Sequence, residues 1–164
     1  MVIKCHFYHQ FVGVEMSLEL YDGGLDVPTI LKKWYESEVQ SNYGAFIPFV
    51  GTIRDEDGIT GLSFDIYEPI LESWFEAWQE KAKAKGAMIK MAHSRGDVML
   101  HQSSYISAVF SPKRRVALEF IDEFVEDFKA SAPIWKYDLK DGKRIYAKDR
   151  STAIDGSGIL GEKL

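Results

Sequence analysis

Cysteine is almost absent from this 164-residue chain: Cys5 stands alone, so no internal disulfide can form. A lone cysteine also excludes the clustered Cys/His spacings of a structural zinc site and fits a reducing compartment. An excess of basic charge is missing too. The net charge is −5, which argues against a general nucleic-acid binder, since affinity for phosphate backbones comes from a basic footprint. Long apolar runs are lacking as well; none approaches the roughly 20 residues that span a bilayer, and the N-terminus has no apolar signal-peptide core. The expectation is a soluble cytoplasmic protein with no membrane and no nucleic-acid partner. Internal repeats, low-complexity tracts and glycine-rich phosphate loops are also missing, so neither a metal nor a resident cofactor is expected.

What the chain does have is enough apolar residue, 46%, for one buried core. Ser17 to Tyr21 is strand-like. Asp22-Gly23-Gly24 marks a turn, and Asp26 caps a helix from Val27 to about Gln40 with Pro28 in its first turn. Gly44 to Arg54 reads as a strand, and Pro48 inside it demands an edge or a bulge because proline cannot donate to a ladder. Asp57-Gly58 is a turn, and Leu62, Phe64 and Ile66 alternate as in a half-buried strand. Pro69 opens a second helix, in which Leu71, Trp74, Phe75, Trp78 and Ala82 recur at helical spacing before a stop at Gly86. Met88 to His93 and Ser104 to Phe110 are strands. Ser111-Pro112 starts a third helix that runs to about Ala130. Ile134 to Leu139 and Lys143 to Lys148 form a hairpin around Asp141-Gly142. The fold class is α+β: one domain over residues 1–164, with a mixed, largely antiparallel sheet, three main helices and a C-terminal β-hairpin. A polar, glycine-rich tail at 152–164 is expected to be flexible.

The third helix carries the most informative cations. At 100° per residue, Ala117, Phe120, Ile121, Phe124, Val125 and Phe128 form an apolar stripe, with Glu119, Asp122, Glu123 and Glu126 opposite. Lys113 and Arg114 project over the stripe, and Lys129 flanks it. Two readings stand. Either Lys113 and Arg114 snorkel to water from a frayed turn, or they hold an anion at the helix N-terminus, where unpaired N–H groups and the dipole favour one. Lys136 faces away from Trp135 and Tyr137 by strand alternation. Arg54 stands at a strand end beside a turn. His93 reads as a satisfied core histidine, and Trp74 and Trp78 as packing.

Two stretches carry a resemblance. Gly44-Ala-Phe-Ile-Pro-Phe-Val-Gly-Thr-Ile-Arg54 and Ser131-Ala-Pro-Ile-Trp-Lys136 resemble motifs of the molybdopterin synthase large (catalytic) subunit family. Tyr67, His93 and the Ser111 helix start arrive in the family's order. The likeness covers residues 44–151. It implies an α/β-hammerhead type of fold and a sulfurtransferase of molybdenum cofactor biosynthesis. The sulfur arrives as a thiocarboxylate on the C-terminal glycine of a small ubiquitin-like carrier subunit and passes to cyclic pyranopterin monophosphate, forming the dithiolene. No catalytic cysteine is then needed, and Cys5 is read as structural. The resemblance further implies a homodimer within a heterotetramer. It puts Lys129 and Lys136 at the reaction centre and Arg54, Lys113 and Arg114 around the substrate. It also assigns Arg150, with Lys148 as the alternative, to a position reaching across the dimer. Lys113 stands where the family often has histidine, and His101-Gln102-Ser103 where it often has a Pro-Gly-Asp turn. Two other readings share the basic pocket: a non-catalytic module that grips a ubiquitin-like tail, and a phosphate-ester enzyme of another class.

Overall fold

The computed structural model describes residues 17–147. Cys5, Lys148, Arg150 and the 152–164 tail, on which expectations were placed, lie outside the described residues.

Among the described residues seven strands and three helices alternate irregularly along the chain. The order is β1 (Leu18–Asp22), α1 (Val27–Glu38), β2 (Ala45–Thr52), β3 (Gly61–Ile66), α2 (Glu68–Ala84), β4 (Met88–Met99), β5 (Ser103–Ser111), α3 (Arg114–Ser131), β6 (Ile134–Lys140) and β7 (Lys143–Tyr146). The sheet runs β2-β5-β4-β3-β6-β7, with β1 paired separately to β4. Every pairing is antiparallel except β1 with β4, which is parallel. The sheet is therefore mixed and largely antiparallel, as the hairpin signals imply.

β4 is the spine. One of its edges carries β5 from Met88 to His93. Its other edge is shared: β1 takes Met91 to Arg95, and β3 takes Gly96 to Met99. The strand is thus twice as long as the apolar pattern over Met88–His93 suggests. Its second half, Ser94-Arg95-Gly96-Asp97, is polar because it leaves the layer between the helices, so apolar periodicity gives no sign of it. Gly96 takes φ +67 there, a left-handed conformation that glycine adopts without a steric penalty.

Helices cover both faces of the β4–β5 pair. On one side α2 and α3 bury Leu71, Phe75, Phe120 and Phe124 against Ile89, Met91, Tyr105 and Val109. On the other, Ile30 and Trp34 of α1 pack on Ala92, Ile106, Ala108 and Phe110. Burial on both faces explains why every residue of β5 is inaccessible. Pro48 lies in β2, which ends the strand order with β5 as its only neighbour among the described residues, a position where proline is tolerated. At α1, Asp26 caps as expected: its carboxylate accepts from Thr29 N at 3.3 Å and from the Thr29 hydroxyl at 2.8 Å. That helix ends at Glu38, slightly short of Gln40. Asp141 and Gly142 turn the β6–β7 hairpin with φ of 51 and 69, the paired positive angles of a tight two-residue turn.

The third helix departs from expectation at its start. It begins at Arg114, with Lys113 in extended conformation as its N-cap. Ser111 is fully buried at the end of β5, and its hydroxyl accepts from Lys113 N at 3.2 Å instead of capping the helix. Pulling Ser111 into the sheet shifts the first turn outward. Lys113 and Arg114 are exposed, and the buried part of the stripe begins at Ala117.

Candidate active site

A buried aromatic cluster lies where α3 ends. Phe128 stacks on Tyr105, with centroids 4.2 Å apart, and touches His93 at 5.6 Å. Phe64 meets His93 edge-on at 5.0 Å. Phe64 also shares a small apolar cluster with Ile53, Ile59 and Val98. These residues come from β3, β4, β5, α3 and the loop after β2, and the sheet register brings them to one end of the molecule.

Three of the candidate cations are tied to this cluster by their chain neighbours or ladder partners. Lys129 follows Phe128 in the last turn of α3; its side chain is 63% exposed, and its ammonium lies 3.4 Å from Glu126. Lys136, half-buried in β6, is directly opposite Phe64 across the β3–β6 ladder, so the two share a face. Arg54 follows the buried Ile53 and pairs at the surface with Glu56. The loop bearing Arg54 is clamped by two backbone bonds: Ile53 N donates to Gln102 O at 2.9 Å, and His101 N to Ile53 O at 2.8 Å. His101-Gln102-Ser103 thus serves as the brace of the Arg54 loop, with His101 at φ 66.

Lys113 and Arg114 are not part of that group within one chain. They start the helix whose last turn holds Lys129, and sixteen residues at 1.5 Å each put Lys113 about 24 Å from Lys129.

His93 is a core residue. It is 2% exposed, and burial lowers its pKa to about 4, partly countered by a hydrogen bond to the Ser94 carbonyl. A carbonyl only accepts, so the neutral ring carries its proton on Nδ1, which lies 2.7 Å from that oxygen. Burial likewise pushes the Tyr105 phenol well above its ordinary range, so it stays neutral. The cluster is thus an uncharged floor beside lysine and arginine side chains, a setting in which a bound anion meets cations at a low-dielectric boundary.

An open cleft of about 520 Å³ lies nearby, lined by residues 24–28 and 101–103 with Val50 and Thr52. Among the described residues its wall has no lysine or arginine, whereas Lys136 lies opposite Phe64 of the aromatic cluster. Among the described residues no His, Cys, Asp and Glu side chains group so as to hold a metal ion, and no helix is long and apolar enough to cross a membrane.

Sequence reasoning passes over two groups, one at the end of α3 and one on the C-terminal hairpin. Asp127 accepts from both Trp74 and Trp78, at 3.0 and 2.7 Å. The signal was two tryptophans one helical turn apart, each with an indole N–H to satisfy once buried. Arg144 forms a bidentate pair with Asp65 at 2.6 and 3.1 Å and stacks on Tyr137 at 3.7 Å. Nothing local in the sequence links residues so far apart.

Comparison with known proteins gives the family and agrees with the fold. The family model described as MoaE protein matches residues 24–131. A molybdopterin synthase catalytic subunit of Helicobacter pylori strain 26695 is 52% identical over 143 residues, covering 87% of this chain and 99% of the relative. The corresponding subunit of Helicobacter pylori strain J99 is 43% identical over the same shares. Among solved structures, a complex of subunits 1 and 2 of the molybdopterin-converting factor from Helicobacter pylori 26695 contains a chain that superposes with a TM-score of 0.83 at 52% identity. That alignment covers 88% of this chain and 99% of that one. Molybdopterin synthase from Staphylococcus aureus shares the fold, with a TM-score of 0.70 at 20% identity over 81% and 98% of the two chains. The chain belongs to the MoaE protein family.

Proposed function

We propose that this chain is the catalytic subunit of molybdopterin synthase, a sulfurtransferase of molybdenum cofactor biosynthesis acting in the cytoplasm. It takes sulfur from the C-terminal thiocarboxylate of a small ubiquitin-like carrier subunit. Two such transfers to cyclic pyranopterin monophosphate give the dithiolene of molybdopterin. The observation that carries this reading is the 52% identity, over 99% of its length, to a named catalytic subunit; the pairing of Lys136 with Phe64 and the place of Lys129 beside Phe128 support it.

Each role follows from chemistry. The substrate phosphate and the carrier's released carboxylate are anions, and Arg54 is placed to hold one of them. Lys129 and Lys136 are the reaction-centre lysines, able to donate to a developing oxyanion or to form a transient bond with a carbonyl. Lys113, Arg114 and Arg150 are assigned to substrate binding. Because the length of α3 separates Lys113 and Arg114 from Lys129, they serve the same pocket only when a second copy supplies them. A homodimer within a heterotetramer meets that need. Lys113, an ammonium where the family often has an imidazole, suits anion binding better than proton transfer.

The test combines this protein, thiocarboxylated carrier subunit and cyclic pyranopterin monophosphate, and measures dithiolene product. Product requiring all three, and lost in Lys129→Ala with the fold intact, is expected. Carrier binding without product would favour a docking module, and turnover of a phosphate ester without carrier would favour another enzyme class.

A further inference from the structure

A helix end frays unless something holds it, and Lys129 stands in the last turn of α3. The holding group is a carboxylate. Asp127 Oδ2 accepts from the indole N–H groups of Trp74 at 3.0 Å and Trp78 at 2.7 Å, both on α2. Its Oδ1 accepts from the hydroxyl of Ser131, the final residue of α3, at 2.8 Å. One side chain therefore ties the end of α3 to α2 and to its own last residue.

Three consecutive residues now divide the faces of that turn. Side chains on a helix advance about 100° per residue. Asp127 points to α2, where the tryptophan rings also pack on Phe124 with centroids 5.3 and 5.2 Å away. Phe128 points to the sheet and stacks on Tyr105. Lys129 takes the remaining direction. Rotating the turn enough to move Lys129 breaks the indole bonds and the Phe128 stack together.

The same anchor leads to the second lysine. Past Ser131 the chain passes through Ala132, whose N donates to Phe128 O at 3.1 Å, and the buried Pro133, whose carbonyl accepts from Tyr67 N at 3.2 Å. It then enters β6, which carries Lys136. Fixing Ser131 fixes the origin of that segment.

Other buried or saturated charged groups do not reach the lysines this way. The Lys90–Glu38 pair ties α1 to β4, away from the end of α3. Arg144 sits on β7 opposite Leu139, on the face of the hairpin away from Lys136.

We propose that Asp127 is a positioning residue for Lys129 and Lys136, acting through the α3 terminus and touching no substrate. This rests on the assignment of those lysines to the reaction centre. Burial by itself would raise the Asp127 carboxyl, but the hydrogen bonds from Ser131, Trp78 and Trp74 and the charge of Lys81 outweigh it and hold the group below its ordinary range. It is the ionised acceptor at neutral pH. Asparagine can replace it, since the amide oxygen accepts from the indoles and the amide nitrogen donates to Ser131. Alanine leaves the indole N–H groups without an acceptor.

The experiment compares wild type, Asp127→Asn and Asp127→Ala in the complete three-component assay. Circular dichroism and thermal melting verify folding at the assay temperature. Asp127→Ala should lower kcat at least about tenfold, because an ångström of misplacement costs on the order of 10²-fold. KM for carrier and pterin should stay within about twofold, and Asp127→Asn should restore most of the rate. A second readout needs neither carrier nor pterin: the rates at which an amine-directed reagent labels Lys129 and Lys136, relative to Lys140, resolved by peptide mapping. Asp127→Ala should change those ratios and Asp127→Asn should not. A folded Asp127→Ala with wild-type kcat and labelling overturns the proposal, as does a rise in KM alone, which would mean direct substrate contact. If Asp127→Ala does not fold, the Trp74→Phe/Trp78→Phe double variant takes its place, and unchanged kcat and labelling in it are equally fatal. If wild type makes no product, the sulfurtransferase reading fails by itself and the labelling ratios decide the positioning role.

Discussion

Lys90 and Glu38 face each other inside the protein. The Lys90 ammonium lies 2.9 Å from Glu38 Oε1, and the two side chains are 1% and 8% exposed. The Ser37 hydroxyl accepts from the same ammonium at 2.8 Å, and the Ser41 hydroxyl donates to the other Glu38 oxygen at 3.1 Å. The pair joins the C-terminal turn of α1 to β4.

Removing one partner strands the other charge without water. Lys90→Met or Glu38→Leu alone should cost about 3–5 kcal/mol, while the double variant should recover much of that loss. Urea unfolding of the three variants tests this. Additive losses would show that the two charges do not depend on each other. The rate of sulfur transfer per folded molecule should not change, since the pair lies away from the lysines.

A second prediction concerns acid. Burial lowers His93 to about 4 from the 6.5 of a free imidazole. Between those values the unfolded chain binds a proton that the fold excludes. The stabilisation is therefore complete above about pH 6.5 and is lost as pH falls toward 4, by up to roughly 3 kcal/mol. Urea midpoints measured across this range should fall more steeply for wild type than for His93→Gln, which keeps a donor for the Ser94 carbonyl and does not titrate. Parallel curves would place the acid sensitivity elsewhere.

Mixing inactive subunits tests whether sites are shared. Lys129→Ala and Arg114→Ala should each abolish product. If Lys129 of one subunit works with Arg114 of the other, randomly exchanged dimers of the two variants should regain about a quarter of the wild-type sites. No recovery despite demonstrated exchange would mean that both residues act within one chain, and activity in Arg114→Ala alone would mean that Arg114 has no part in the site.

The hairpin that ends the described chain depends on Arg144. Its guanidinium bonds both oxygens of Asp65 and, through Nε, the Ser63 hydroxyl at 3.0 Å. The Arg144 and Asp65 side chains are 38% and 51% exposed, so after solvent screening the tie contributes about 1 kcal/mol. Arg144→Ala should therefore speed hydrogen exchange at the Ala147 amide, which donates to Lys136 O, about fivefold. Arg144→Lys should rescue little of this, because an ammonium cannot reproduce the two-pronged contact.

The legible parts of this fold are those whose physics is local. Asp141-Gly142 must turn because both positions need positive φ, Pro48 must sit on an edge, and the stripe through Leu71, Phe75 and Trp78 must face a sheet. The family motifs around Arg54 and Lys136 are local strings too. Less visible was whatever depends on distant partners. The parallel seat of β1 on β4, the polar second half of β4 and the meeting of Asp127 with Trp74 and Trp78 have no signature within a short window. The start of α3 misled because Ser111-Pro112 suits a helix cap, but the sheet claimed Ser111 first. The length of α3, itself legible from its periodicity, keeps Lys113 and Arg114 away from Lys129.

The shared edge of β4 also bears on how this chain can change over generations. A one-residue insertion or deletion within Met88–Met99 would swing Met91 and His93 from the face under α2 and α3 to the face under α1. The same slip would unpick Leu62 from Val98 on β3 and Leu18 from Met91 on β1. Three neighbours would be mismatched at once, and no single compensating substitution could mend them all. Length variation among descendants of this sequence should therefore collect at the turns around Asp57-Gly58, His101-Gln102 and Asp141-Gly142, leaving β4 at constant length even where its residues drift.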